Sequence, residues 1–304
     1  MIRFIVNPTA GANRTRKKWP ILESHARSVL GNFDVVFTEY HLHAIKIAEE
    51  STLAGFDPLV AVGGDGTINE VVNGIYLSRK NITLGIVECG TGADFARTIP
   101  VGSNYIKAID TLKSGIIRNF DIVEVEYTDF SGNRATRVFV NAADAGLGGD
   151  TVINVDGAPK VLGGKLAFLY GVLRSLVNLK TYKISLTIDG KSVGEFEIIS
   201  TVVANGKYFA GGMFIAPMAR ADDGKLEIIL IKKTTRRRFM RNLPLVYKGK
   251  HIYIEEVELF SGREIVIRSS QEVMLEMDGE LVGKLPAIFR VKENFLKIIT
   301  KREV

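Results

Sequence analysis

Leu59-Val60-Ala61-Val62-Gly63-Gly64-Asp65-Gly66-Thr67-Ile68-Asn69-Glu70-Val71-Val72-Asn73-Gly74 is the stretch that decides the fold. Four apolar residues without a polar break read as a strand covered on both faces, as in a parallel sheet. After Thr67 the apolar positions Ile68, Val71 and Val72 take up helical spacing, so the chain passes from strand to helix within the glycines. Such a turn closes backbone N–H groups on an anion, and the helix start adds positive potential. Thr67 offers a hydroxyl there, as a cap or a phosphate contact. Asp65 is the odd member, because an acid in a phosphate loop repels its ligand unless it holds a metal or a proton. That oddity points to chemistry as well as binding. A tight turn closed by an Asx hydrogen bond is the plainer alternative.

Working outward, residues 2–6, 33–38, 59–62 and 83–87 read as strands, and 17–30, 41–54 and 67–77 as helices. The alternation implies an α/β domain over 1–121 with a parallel sheet under helices on both faces. Near Asp121 the pattern changes. Strand-like runs follow at 122–128, 135–142, 181–188, 193–204, 225–231, 252–260, 264–268, 272–277 and 286–299. Turn pairs such as Asp189-Gly190 and Asp278-Gly279 separate them, and the expectation is a C-terminal β-sandwich domain over 122–289. One apolar helical insert, 161–179, interrupts it. That insert reads either as buried core or as one wall of an acyl-chain groove.

Of the 304 residues 46% are hydrophobic and 24% charged, the balance of a globular chain with a real core. The single cysteine, Cys89, excludes an intrachain disulfide and fits a reducing, cytoplasmic setting. No uncharged apolar run reaches the roughly 18 residues of a transmembrane helix. The net charge of +6 favours anionic partners. It concentrates in 232–250, where Arg236, Arg237, Arg238, Arg241, Lys248 and Lys250 alternate with Phe239, Met240, Leu243 and Leu245. That mixture suits peripheral contact with an anionic membrane surface, or a solvated helix with one packed face. No nucleic-acid reader motif accompanies it.

No GxxxxGK[ST] loop, GxGxxG after a strand, or protein-kinase catalytic loop occurs. Instead the ordered set Asn7-Pro8-Thr9-Ala10-Gly11, Thr38 with His43-Ala44, Gly63-Gly64-Asp65-Gly66-Thr67, Gly90-Thr91-Gly92-Ala93-Asp94-Phe95-Ala96-Arg97, Asp222-Asp223-Gly224 and Asp278-Gly279-Glu280 resembles the bacterial diacylglycerol kinase family, within the diacylglycerol, sphingosine and ceramide kinase superfamily. The resemblance covers nearly the whole chain. It implies an NAD-kinase-like, three-layer first domain, completed by residues 290–304, with the nucleotide in the cleft beside a β-sandwich.

The activity so implied is ATP- and Mg²⁺-dependent phosphorylation of a lipid hydroxyl. Asp65 would orient Mg²⁺ or the reacting hydroxyl, and Glu280 would be the general base. Asn7, Thr38, Gly63, Gly64, Gly66, Thr67, Glu70, Thr91, Asp94 and Arg97 would serve the nucleotide. Asp121 would join a carboxylate and metal network, and Asp222 with Asp223 a second, more structural metal site. By residue type alone Glu280, Asp222 and Asp223 are equally well read as turn residues. Two positions depart from the family: Ala93 stands where Asn is usual and Glu88 where Pro is common. They motivate one alternative, a non-catalytic nucleotide- or lipid-binding regulator. A soluble NAD kinase is the other. Exposed sandwich edges would also allow a homodimer.

Overall fold

The computed structural model describes residues 1–90, 92–102, 104–155, 171, 174–175 and 179–302. The chain forms two compact units, 1–122 together with 293–304, and 123–292.

In the first unit β1 (Arg3–Val6) lies between β2 (Asp34–Phe37) and β3 (Leu59–Gly63), all parallel. β4 (Thr83–Glu88) continues the sheet beside β3, and residues 297–298 of β14 (Glu280–Thr300) add a further parallel strand. Phe4, Val6, Val60, Val62 and Val87 pack with Trp19, Leu22 and Ala26 of α1 (Ala10–Leu30) and with Ala108 and Ile109 of α5 (Tyr105–Ser114). Ile5 and Ala61, of opposite parity along their strands, are equally buried. The strand face of that parity is covered by α2 (His43–Leu53) and α3 (Asp65–Ser78). A short helix, α4 (Asp94–Thr98), follows β4.

The second unit is antiparallel. β11 (Val257–Gly262), β10 (Leu226–Lys232), β9 (Lys191–Ala204), β7 (Ala142–Gly146), β13 (Met274–Met277) and β14 pair in that order. β8 (Tyr182–Ile188) and β12 (Glu264–Arg268) pair with each other and with the outer stretches of β9 and β14. The long strands β9 and β14 therefore serve both layers, and Val123, Phe139, Ile184, Leu230, Ile265 and Phe289 fill the space between. β5 (Ile116–Thr128) pairs with β6 (Arg134–Phe139). Helices α6 (Leu147–Val155) and α7 (Arg236–Val246) complete the described elements, with a 3₁₀ turn at His251–Tyr253.

Several boundaries differ from expectation. The strand expected over 135–142 is two strands, because Val140 and Asn141 give their N–H groups to the Asp278 carboxylate at 3.0 Å each. The strand expected from 252 begins at Val257, after the 3₁₀ turn. Helices α4, α5 and α6 were not expected. The helix expected over 161–179 lies outside the described residues, apart from residues 171, 174, 175 and 179, and so does Thr91.

Candidate active site

In the first unit β3 ends at Gly63, Gly64 stays extended, and α3 begins at Asp65. The first N–H groups of any helix have no partner within it, so this start faces outward with donors in reserve. The turn is braced by backbone. A Cβ on Gly90 would fall 2.7 Å from Gly64 Cα, and one on Gly11 2.7 Å from Cys89 O, so only glycine permits these approaches. Three motifs distant in sequence, 7–11, 63–67 and 90–97, are thereby brought together. Asn7 Nδ2 donates to Thr67 Oγ1 at 3.0 Å, while Asn7 Oδ1 accepts from Thr9 N and Oγ1. Both ends of the amide are engaged, and the Thr67 hydroxyl is fixed.

Asp65 Oδ1 accepts from Phe95 N at 3.0 Å, which ties the loop to the start of α4. Asp94 is buried and paired with Arg97 at 2.8 Å. A Cβ on Gly92 would lie 2.5 Å from Asp65 Oδ2 and 3.8 Å from Asp94 Oδ2, so two carboxylate oxygens border one glycine. Ala93, between them, has φ 57°. Asn tolerates this left-handed conformation better, and alanine there costs roughly 1 kcal/mol. The departure at 93 thus carries backbone strain.

Glu88 closes β4. Its Oε1 accepts from Gly90 N at 2.6 Å, and its Oε2 is buried without a hydrogen-bond partner among the described residues. Burial first, and the neighbouring Asp65 second, push its carboxyl up to about 8. At neutral pH this group is mainly protonated, and it then adds no negative charge beside the loop. Asp65 and Asp94 offer carboxylate oxygens, the donor type that fits a hard cation such as Mg²⁺.

The other expected residues of this unit make contacts of their own within it. Thr38 follows β2, its N–H donating to Val6 O. Glu70 is buried and turned to α2, where Oε2 accepts from Ala44 N at 3.0 Å and supplies a cap from outside that helix. Asp121 is buried and holds Asn294 N at 2.8 Å.

In the second unit Asp278 and Gly279 have φ 48° and 87°, a primed turn joining β13 to β14. Asp278 accepts from the N–H groups of Val140, Asn141 and Ala142. Glu280 opens β14, and its Oε2 accepts from Arg137 Nη2 at 2.5 Å. Asp222 accepts from Arg220 Nε at 3.3 Å, and Asp223 from Lys225 N at 3.1 Å, an Asx-type closure.

Two acids escaped the sequence reading. Asp144 and Glu276 are cross-strand neighbours on β7 and β13, and both are fully buried. Asp144 accepts from Gly148 N at 2.8 Å and from Ser200 Oγ. Burial nevertheless pushes its carboxyl up to about 7, and Glu276 rises well above its usual range for the same cause, with Asp144 second. The available signal was an acid set inside the apolar runs Ala142-Ala143-Asp144-Ala145 and Met274-Leu275-Glu276-Met277.

Comparison with known proteins follows the same division. The family model for the diacylglycerol kinase catalytic domain matches residues 1–125. The model for the YegS C-terminal NAD kinase beta sandwich-like domain matches residues 143–300. The diacylglycerol kinase of Bacillus subtilis strain 168 is 29% identical over 309 residues, covering 99% of this chain and 96% of its own. That of Staphylococcus carnosus strain TM300 is 26% identical, with 99% and 95% covered. A crystal structure from Bacillus anthracis strain Sterne shares the fold at a TM-score of 0.78 and 23% identity, covering 99% of this chain and 96% of that one. Another, described as a diacylglycerol kinase from the same strain, does so at 0.74 and 22%, with the same coverage. Fold and site together define a phosphotransferase with an alcohol group as acceptor, of the lipid-kinase class. The chain belongs to the bacterial diacylglycerol kinase family.

Proposed function

We propose that this chain transfers the γ-phosphate of ATP, with Mg²⁺, to the free hydroxyl of diacylglycerol or a closely similar lipid. The observation that carries the reading is the convergence of three glycine turns beside Asp65 and Asp94. Phosphoryl transfer asks the protein mainly for positioned phosphates and compensated charge. The N–H groups of Gly64, Asp65, Gly66 and Thr67 supply the first, with Gly63 setting the approach and Asn7 holding the Thr67 hydroxyl in place. Thr38, Glu70, Thr91 and Arg97 would also serve the nucleotide. Asp65 and Asp94 would hold Mg²⁺, which when bound offsets the phosphate charge. Asp121 supports that network, and the 222–223 turn is a second cation site.

Glu280 accepts the proton of the lipid hydroxyl at a carboxylate oxygen. Arg137 orients that carboxylate and must share it during the transfer. The NAD-kinase-like layering of the first unit fits a nucleotide seated on the carboxyl ends of β1, β3 and β4. Among the described residues no helix is long and apolar enough to cross a membrane.

The test is radiolabelled ATP with Mg²⁺ against a panel of lipids in mixed micelles, with NAD in a parallel tube. Label entering diacylglycerol supports the reading. Label entering NAD, or nucleotide binding without transfer to any lipid, overturns it and turns attention to Ala93 and Glu88.

A further inference from the structure

Glu280 follows a hairpin turn that two other acids hold. Asp278 directs its carboxylate away from the turn, onto the N–H groups of Val140, Asn141 and Ala142. Glu276 holds the turn from its own strand: its Oε2 accepts from Gly279 N at 2.9 Å, in the residue just before Glu280. The β13–β14 ladder slips between Leu275 and Glu276. Such irregularities re-aim the side chains beside them.

Glu276 is fully buried, and so is Asp144, directly opposite it on β7. No lysine, arginine or histidine among the described residues answers either carboxyl. Around Asp144 stand Ser200, the N–H groups of Gly148 and Gly149, and Asp150; around Glu276 stand Asp144, Asp278 and the Gly279 N–H. Burying two acids without a cation is costly, and an apolar pair would hold β7 to β13 without that cost. What the acid at 276 adds is an acceptor for Gly279. Burial first, and Asp144 second, raise the Glu276 carboxyl well above its usual range. At neutral pH it is therefore uncharged, and Oε2 serves as a neutral acceptor.

We propose that Glu276 is a positioning residue for Glu280: by holding the Gly279 N–H it fixes the backbone from which the Glu280 carboxylate meets the lipid hydroxyl. Glu280 is then held at both ends, at its backbone through Gly279 and at its carboxylate by Arg137. Proton transfer needs the acceptor within hydrogen-bond reach, so a small displacement costs rate rather than binding. The inference rests on the reading of Glu280 as the base in lipid phosphorylation.

The experiment measures kcat and KM with radiolabelled ATP and a short-chain, water-soluble diacylglycerol. Glu276→Leu fills similar space without an acceptor; kcat should fall roughly tenfold or more while KM for ATP stays within about twofold. Glu276→Gln restores the acceptor and should recover most of that loss. In a Glu280→Gln background, Glu276→Leu should lower kcat no further, because no base is left to position. Should the leucine variant fail to fold, Glu276→Asp, an acid one methylene shorter, takes its place with the same expectations. A leucine or aspartate variant with wild-type kcat would overturn the inference. So would a glutamine variant as slow as the leucine one, or a full further loss in the Glu280→Gln background. A wild type that labels no lipid overturns the kinase reading and this inference with it, whereas the other adverse outcomes strike this inference alone.

Discussion

At Gly63-Gly64-Asp65-Gly66 the backbone touches a second glycine turn, and the N–H groups opening α3 lie outside the helix's own bonds. At Asp278-Gly279-Glu280 one carboxylate gathers three backbone N–H groups to itself. The first turn leaves its donors outside the helix's own bonds, and in the proposed reading they receive a phosphate. At the second the carboxylate takes the donors of residues 140–142, which holds β6, β7 and the β13–β14 hairpin in register, and in the same reading Glu280 is left for chemistry. Two acid-bearing turns of similar composition thus do different work. What separates them is where the backbone donors go, not which residues are present.

The contrast is most easily broken at Asp65. Asp65→Ala should lower lipid phosphorylation by about a thousandfold or more with an unchanged circular dichroism spectrum. Retained turnover would remove Asp65 from the mechanism. Glu280→Gln keeps the shape but cannot take a proton; kcat should fall roughly a hundredfold or more while ATP binding by calorimetry is unchanged. A variant with normal kcat would leave Glu280 as a turn residue.

Asp278→Ala tests the other half of the contrast. It strands up to three backbone donors and should cost about 3 kcal/mol or more in urea unfolding. An equal loss of nucleotide affinity in this variant without a loss of stability would show the two turns to be alike after all.

The smallest expected effect is a pH dependence. The Asp144 carboxyl is pushed up to about 7 in the folded chain, against the usual 3.8 of an aspartate. Between those values the folded state binds more protons than the unfolded one, so this group's contribution declines as pH rises from about 4 to 7 and is flat above. Asp144→Asn should flatten that part of the profile. Thermal unfolding across the range measures it, and a wild-type profile parallel to that of the variant contradicts the burial argument.

Much of this was legible in the sequence, for reasons that can be named. The strand-to-helix switch at 59–74 shows because the period changes from continuous to helical within the glycines. The Asp278-Gly279 turn shows because few other pairs accept two positive φ values. What was not legible depends on partners far along the chain. Nothing local says that Glu70 will cap α2, that Asp121 will hold Asn294, or that Asp278 will interrupt the 135–142 run. Asp144 and Glu276 were visible as acids in apolar strands, but only the register of β7 against β13 makes them neighbours. Helix α6 was hidden by Gly148 and Gly149, which weaken any helical reading.

The strand β14 begins in one unit and ends in the other, where Asn294 closes on Asp121, 173 residues earlier. At ordinary rates of synthesis that interval is roughly ten to thirty seconds. For that time the nascent first unit has every helix it needs but lacks the strand that covers the free edge of β4. An uncovered apolar edge is where newly made chains pair wrongly. The arrangement makes closure of the first unit wait on synthesis of the whole second unit, so chaperone demand should rise and fall with translation rather than with the finished protein's stability.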